Sequence, residues 1–347
     1  MHVFKQLPRA SLLLAALAWI APALHAQESL LSETVGHLPA SIRAGTGNAK
    51  AYTVLALPLA IPSGASWRSQ GRLTAITTNT FVDATKDWTP GQWSAPAAPW
   101  FIRITGGAAD GRSFLLSTTA PNTADTLVLA PSGTTDLTTL GIAAGQSGDT
   151  YELFAAETLA SVFPAGSGAH GGTGVADSDS IQIIRDGVVS TFYFHAGSGL
   201  WRDASTDADA SDTVIHPDSA LLYGRLAATP LDLSLLGVVA GPDRRADVKN
   251  SGQTLLANAW PVPLTLADSG IQNLPGWVSA AAPGSADKVQ LHLNGVWQNF
   301  FHDGTRWRQI ARGNPIRDTQ LIPAGSAVLI NRLGSAPGST TLHQTAP

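Results

Sequence analysis

The 347 residues contain no cysteine, so neither a disulfide framework nor a lipid on Cys can hold or tether the chain. Charge is scarce at 13%, yet 44% of residues are hydrophobic, and that balance excludes the disordered class. A net charge of −4 without clustered Lys and Arg argues against a nucleic-acid partner. Beyond the N-terminus no apolar run approaches the ~20 residues of a membrane-spanning helix. The short, irregularly alternating runs do not suit an outer-membrane barrel either. A sustained helical period is also missing. With Gly 34 and Pro 22 breaking the chain into short stretches, the expectation is an all-β protein held by core burial. The length suits about two or three domains.

Lys5 and Arg9 precede an apolar run from Ala10 to Ala21, and Pro22 leads to Leu24-His25-Ala26. This is the pattern of a signal peptide spanning 1–26, cleaved before Gln27. The expected location is outside the cytoplasm, in the periplasm, at the cell surface or in the medium.

The chain writes one stretch twice, at Asp179 to Leu226 and at Asp287 to Leu333. Asp179 aligns with Asp287, Gly187-Val188 with Gly295-Val296, Phe192 with Phe300 and Trp201-Arg202 with Trp307-Arg308. Asp212-Thr213 aligns with Asp318-Thr319, Ser219-Ala220 with Ser326-Ala327 and Arg225-Leu226 with Arg332-Leu333. Internal copying of this kind decides architecture before any local reading does. Ala51 to Ile61 is echoed by Thr254 to Leu264, with Pro58 over Pro261, and Thr158-Leu159-Ala160 by Thr265-Leu266-Ala267.

The fold expected is two homologous β-meander repeats packed together, with an inserted small β-barrel or sandwich module. The boundaries are a leader at 27–50, a first repeat at 51–65 plus 156–245, the inserted module at 66–155 and a second repeat at 246–347. Asp186-Gly187 and Asn294-Gly295 predict tight hairpins, because both dipeptides tolerate positive φ. Four strands per repeat bury too little area alone, so the two copies should cover each other. In the module, Trp100 to Thr105 reads as a half-buried strand with Arg103 on the polar side.

The LPL strand, WFIRITGG with GRSF, GDTYEL and the two blocks ending DTVIHPDSALLY and DTQLIPAGSAVLI together resemble an uncharacterised family of exported bacterial proteins. The resemblance covers nearly all of the mature chain. It implies export and a β architecture but carries no established activity. Some members bear a C-terminal sorting tail, which Leu342 to Pro347 does not resemble.

Candidate chemistry is sparse. Gly166 to Gly171 fits G-x-G-x-x-G, but Gly172-Thr173-Gly174 follows where a dinucleotide site needs a helix. Asp203, Asp207, Asp209, Asp212 and Asp218 crowd one loop, without the Gly and closing Glu of a calcium loop. The aligned loop carries Arg306, Arg308, Arg312 and Arg317 instead. That contrast makes Asp207, Asp209, Asp212, Arg312 and Arg317 candidate assembly contacts between copies of the chain. Trp201 and Trp307 occupy matched positions and are expected in cores. Trp88, Trp93 and Trp100 are the candidate exposed platforms for a sugar. His195, His216, His292 and His302 lack the spacing of a metal site, and no Ser lies in a G-x-S-x-G elbow.

No cofactor is expected. The expected function is a non-catalytic structural or assembly protein of the cell envelope, its partner a further copy or envelope polysaccharide. Carbohydrate binding is the alternative, and a glycoside hydrolase with two carboxylates ~5–10 Å apart ranks third.

Overall fold

Strand accounts for 43% of the structure and helix for 6%, arranged in several antiparallel sheets. The computed structural model describes residues 35–60, 69–131, 136–185, 187–239, 241 and 243–347. The expected signal peptide and Asp186 lie outside the described residues. No helix among those described is long and apolar enough to cross a membrane.

Two lobes carry most of the strands. The first contains β1 (Val35–Ile42), β2 (Ala51–Ala56), β3 (Ser180–Arg185), β4 (Val188–His195), β5 (Leu200–Asp203), β6 (Ala220–Arg225) and β7 (Leu231–Val239). The second contains β8 (Asp243–Lys249), β9 (Gly252–Ala257), β10 (Lys288–Leu293), β11 (Val296–His302), β12 (Trp307–Gln309), β13 (Ala327–Arg332) and β14 (Ser339–Thr345). Each lobe has a five-stranded sheet, in the order β5-β4-β3-β6-β2 and β12-β11-β10-β13-β9 respectively. The first and last strands of each lobe pair with one another, β1 with β7 and β8 with β14.

These sheets are larger than the four-stranded meanders expected. Residues 35–42, read as leader, form β1 instead. Their alternation of accessible and half-buried positions is that of a ribbon with one wet face. The N-terminal strand of each five-stranded sheet enters at the edge beside β6 or β13. Ala56 sits opposite Ala220 and Ala257 opposite Ala327, so Ala56 corresponds to Ala257. The register is two residues off the one that superposes Pro58 on Pro261. A shift of two preserves which side chains face inward, so the hydrophobic pattern did not expose it.

The lobes' inner cores use matched residues. One holds Leu55, Leu159, Ile181, Phe192, Trp201, Ile215 and Leu221, and the other Leu256, Leu266, Val289, Phe300, Trp307, Ile322 and Val328. Trp201 and Trp307 are each 1% exposed. The β10–β11 hairpin turns through Asn294 at φ 53° and Gly295 at φ 84°, the paired positive values of a type I′ turn.

The outer faces of the sheets meet through Val54, Ala56 and Ala220 on one side and Leu255, Ala257, Ala327 and Leu329 on the other. Small alanines let the backbones approach. Ala56 N–H donates to the Gly325 carbonyl at 2.8 Å, and Ala257 N–H to the Asp218 carbonyl at 3.1 Å. Gly325 holds the place in the second lobe that Asp218 holds in the first, so the two bonds are reciprocal.

Residues 69–156 interrupt the first lobe. Gln70–Arg72, Trp100–Ile104, Ser113–Leu115 and Thr150–Ala155 make a four-stranded sheet, and Ala75–Ile76, Thr80–Val82 and Thr126–Val128 a three-stranded one. Leu73, Phe81, Ile102, Ile104, Phe114 and Leu153 fill the core between them. The strand at Trp100–Ile104 is buried on both faces rather than one. Phe101 and Phe154 stack 5.5 Å apart and cluster with Val214 of the first lobe. Arg103 points into the same contact, 3% exposed, where it meets Glu152 at 2.9 Å and lies over the Phe154 ring. The polar side expected for this strand is therefore an interior one.

Candidate functional site

Two buried carboxylates organise the lobes. Asp179 and Asp287, both 0% exposed, stand at the approach to β3 and β10. Asp179 accepts Arg225 Nη1 at 2.6 Å, Tyr223 Oη at 2.8 Å, Leu226 N at 2.7 Å and His170 N at 2.9 Å. Asp287 accepts Arg332 Nε at 3.1 Å, Leu333 N at 2.7 Å and Val278 N at 2.9 Å. Burial and the adjacent Asp179 push the Tyr223 phenol up from its ordinary value. A buried carboxylate with so many donors is a clamp between strand ends and the loop before them. The Gly166 to Gly171 loop belongs to this clamp: Arg225 also donates to Gly168 O at 2.8 Å.

The sequence candidates are placed apart from one another. Trp88 and Trp93 are 8% and 4% exposed, inside the module core. Trp93 meets Trp88 edge-on at 6.4 Å and Trp100 edge-on at 4.7 Å. Trp100 is half-buried against the same core, so the three rings form no flat exposed platform. The short strands of the module cannot close a core from aliphatic residues alone, and these large rings close it.

In the acidic loop, Asp207 takes positive φ at 58° and pairs with Arg202 at 2.9 Å, while also accepting the Tyr193 hydroxyl. Asp203 caps Ser205 and Thr206 and Asp209 caps Ser211, while Asp212 is exposed. On the other lobe Arg308 pairs with Asp303 and Arg306 with Asp318, and Arg317 reaches Gln309. Arg312 is exposed. Much of the charge in both loops is thus matched locally. Among the described residues no three His, Asp or Glu side chains gather as metal ligands.

A further opening is one that sequence patterns did not indicate. A cleft of about 720 Å³ lies where the module meets both lobes. The module contributes Arg112 and Ser113, the first lobe Arg185, His216 and Asp218, and the second Arg245, Asp247 and Lys249. The hairpin tip of the module fixes one wall. Arg245 N donates to Gly111 O at 3.2 Å and Arg245 Nε to Asp110 O at 2.8 Å. Arg112 holds Asp247 at 2.9 Å and also reaches the Thr341 hydroxyl. Gly111 has φ 84°, and a Cβ there would stand 2.6 Å from the Asp243 backbone, so only glycine permits this contact.

Electrostatics in the cleft is uneven. Burial lowers His216 to about 3, with Arg185 adding to the effect, so the imidazole is neutral at pH 7. Its ring packs edge-on against Phe101 at 5.0 Å. Asp218 is exposed on the cleft, and desolvation by the surrounding protein raises its carboxyl above the usual range against the pull of Arg185. Burial brings Arg244 down to about 10, opposed by Asp218, and its guanidinium lies 5.6 Å from the Trp260 ring. A second hollow of about 350 Å³ shares Arg185, His216 and Ser219 with the cleft and continues along Val188, Ser190 and Phe192. Composition cannot reveal such a site, because its residues come from six stretches scattered between Arg112 and Ser339. No family model, curated protein or solved structure matches this chain.

Proposed function

We propose that this chain is a non-catalytic, exported component of the cell envelope, built from two copies of one β unit, that binds or assembles through the cleft between its parts. The observation that carries the reading is how the buried charge is used. Asp179, Asp287, Arg225, Arg332 and the Arg103–Glu152 pair each engage backbone donors, backbone acceptors or a buried ion-pair partner. They serve the fold, and the cleft is left as the place where polar groups meet solvent in a concave surface. Duplication is supported by the matched clamps, the same strand order in both sheets and the reciprocal bonds of Ala56 and Ala257. Export rests on the N-terminal charge and hydropathy pattern and on the family resemblance.

Fractionation of cells producing the full chain should find it outside the cytoplasm and shortened by its first 26 residues or so. Purified protein incubated with envelope polysaccharides should retain them without releasing new reducing ends. Steady release of reducing ends would overturn the non-catalytic reading. A second reading, recognition of sugar through Trp88, Trp93 and Trp100, loses its geometric basis because these rings pack edge-on inside the module. Glycan recognition belongs in the cleft.

A further inference from the structure

The cleft concentrates positive charge in a chain whose net charge is −4. Among the described residues its lining holds four cationic side chains, Arg112, Arg185, Arg245 and Lys249, against the carboxylates Asp218 and Asp247. Asp247 is already matched by Arg112 at 2.9 Å. Arg245 uses its Nε on Asp110 O, and its two terminal nitrogens make no hydrogen bond within the described residues. The Lys249 ammonium likewise makes none there, although its backbone N–H is held by Thr254 Oγ1 at 3.0 Å. Around these cations the lining carries short neutral donors and acceptors: Ser113, Ser219, Ser251, Gln253 and Thr254. The neighbouring hollow prolongs the cleft past Arg185 and His216, so the surface is a track rather than a single pit.

We infer that this track binds an acidic oligosaccharide, with Lys249 and Arg245 receiving its anionic groups and the hydroxyl and amide side chains receiving its sugar hydroxyls. A free small anion would need one cation cluster and no extended rim. A chain of sugars bearing periodic charge uses both. An acidic peptide shares the charge but not the density of hydroxyl groups, and the neutral Ser, Thr and Gln lining favours the glycan. The inference rests on the non-catalytic binding reading and names its ligand class.

The test uses the full mature chain with three probes: oligogalacturonide as acidic glycan, polyglutamate as acidic peptide and dextran as neutral glycan. Calorimetry should show binding of oligogalacturonide that weakens with added salt, with dextran and polyglutamate at least about tenfold weaker. Lys249→Glu should weaken oligogalacturonide about tenfold or more. Ser251→Trp, which fills the cleft without changing charge, should do the same, while Arg312→Gln, an exposed cation outside the lining, should not. Circular dichroism of each variant separates lost binding from lost fold. Equal binding of polyglutamate, binding that survives both cleft variants, or no binding of oligogalacturonide would overturn the inference. Release of reducing ends from a glycan whose binding needs Lys249 would keep the site and overturn only the non-catalytic reading.

Discussion

Asp179→Ala removes the centre of a buried clamp, and its cost can be worked from the contacts. The carboxylate is fully buried and the Arg225 side chain is 5% exposed, so neither charge has water to fall back on. Deleting one member of a buried pair typically costs about 3–5 kcal/mol, because the other charge remains without its partner. Arg225 would keep only the Gly168 and Thr229 carbonyls, and the Tyr223 hydroxyl and the N–H groups of His170 and Leu226 would lose their acceptor. Urea unfolding followed by tryptophan fluorescence reads the loss as a lowered midpoint at unchanged slope. Arg225→Met in the same background should recover part of it, with a coupling of at least about 1.5 kcal/mol, since the double variant strands no charge. Asp287→Ala should cost about 1 kcal/mol less than Asp179→Ala, because Ile330 stands where Tyr223 supplies one more donor in the first lobe. A loss below about 1 kcal/mol for Asp179→Ala, or strict additivity of the pair, would refute the clamp as an energetic unit.

Trp93→Ala should destabilise the module by about 3–5 kcal/mol, measured by thermal unfolding, and leave retention on polysaccharide unchanged. Retention lost while the fold persists would return the ring to a binding role. Gly111→Ala should cost more than about 1 kcal/mol and speed amide hydrogen exchange at Arg245, whose N–H bonds to Gly111 O, because a Cβ at φ 84° meets the Asp243 backbone. Exchange at the wild-type rate would show that the module does not depend on this contact. His216 has its folded value lowered to about 3 from 6.5, so the unfolded chain takes up the proton first as pH falls. Wild-type stability should therefore drop relative to His216→Gln by up to about 1.4 kcal/mol for each pH unit between 6.5 and about 3, with the difference constant above that window. A flat difference from pH 7 to pH 4 would remove His216 from the buried, neutral state assigned to it.

The all-β class was readable from short alternating runs and frequent turn residues, because both reflect local backbone demands. The core roles of Phe192, Phe300, Trp201 and Trp307 followed from their matched positions. Other features depended on partners that a linear pattern does not show. Residues 35–42 look like a polar leader because a ribbon with one wet face has few large apolar side chains, and pairing with β7 makes them β1. Arg103 alternates as an exposed residue would, yet the module rests on the first lobe and turns that face inward. Trp88 and Trp93 resemble surface rings by their turn-rich setting, and only the meeting of two small sheets shows the volume they fill.

The cleft was invisible for a related reason, and the reason bears on how it arose. The two lobes bury their outer faces against one another through alanines and reciprocal backbone bonds. Residues 69–156 have no counterpart in the second lobe and break that symmetry. Their strand Trp100–Ile104 leans on the first lobe through Phe101, while their hairpin tip at Asp110 to Arg112 clasps β8 and β14 of the second. Bridging two supports leaves the span between them uncovered, and His216, Asp218, Arg245 and Lys249 line that span. The second lobe's β8 thus both anchors the module and supplies Arg245 and Lys249 to the cleft. Weakening the clasp at Gly111 should therefore weaken ligand binding along with stability, whereas Asp287→Ala, whose bonds run to Arg332, Leu333 and Val278 rather than to the clasp, should lower stability with much smaller change in affinity below the unfolding transition. Equal loss of affinity from both variants would mean that the cleft does not owe its shape to the bridge.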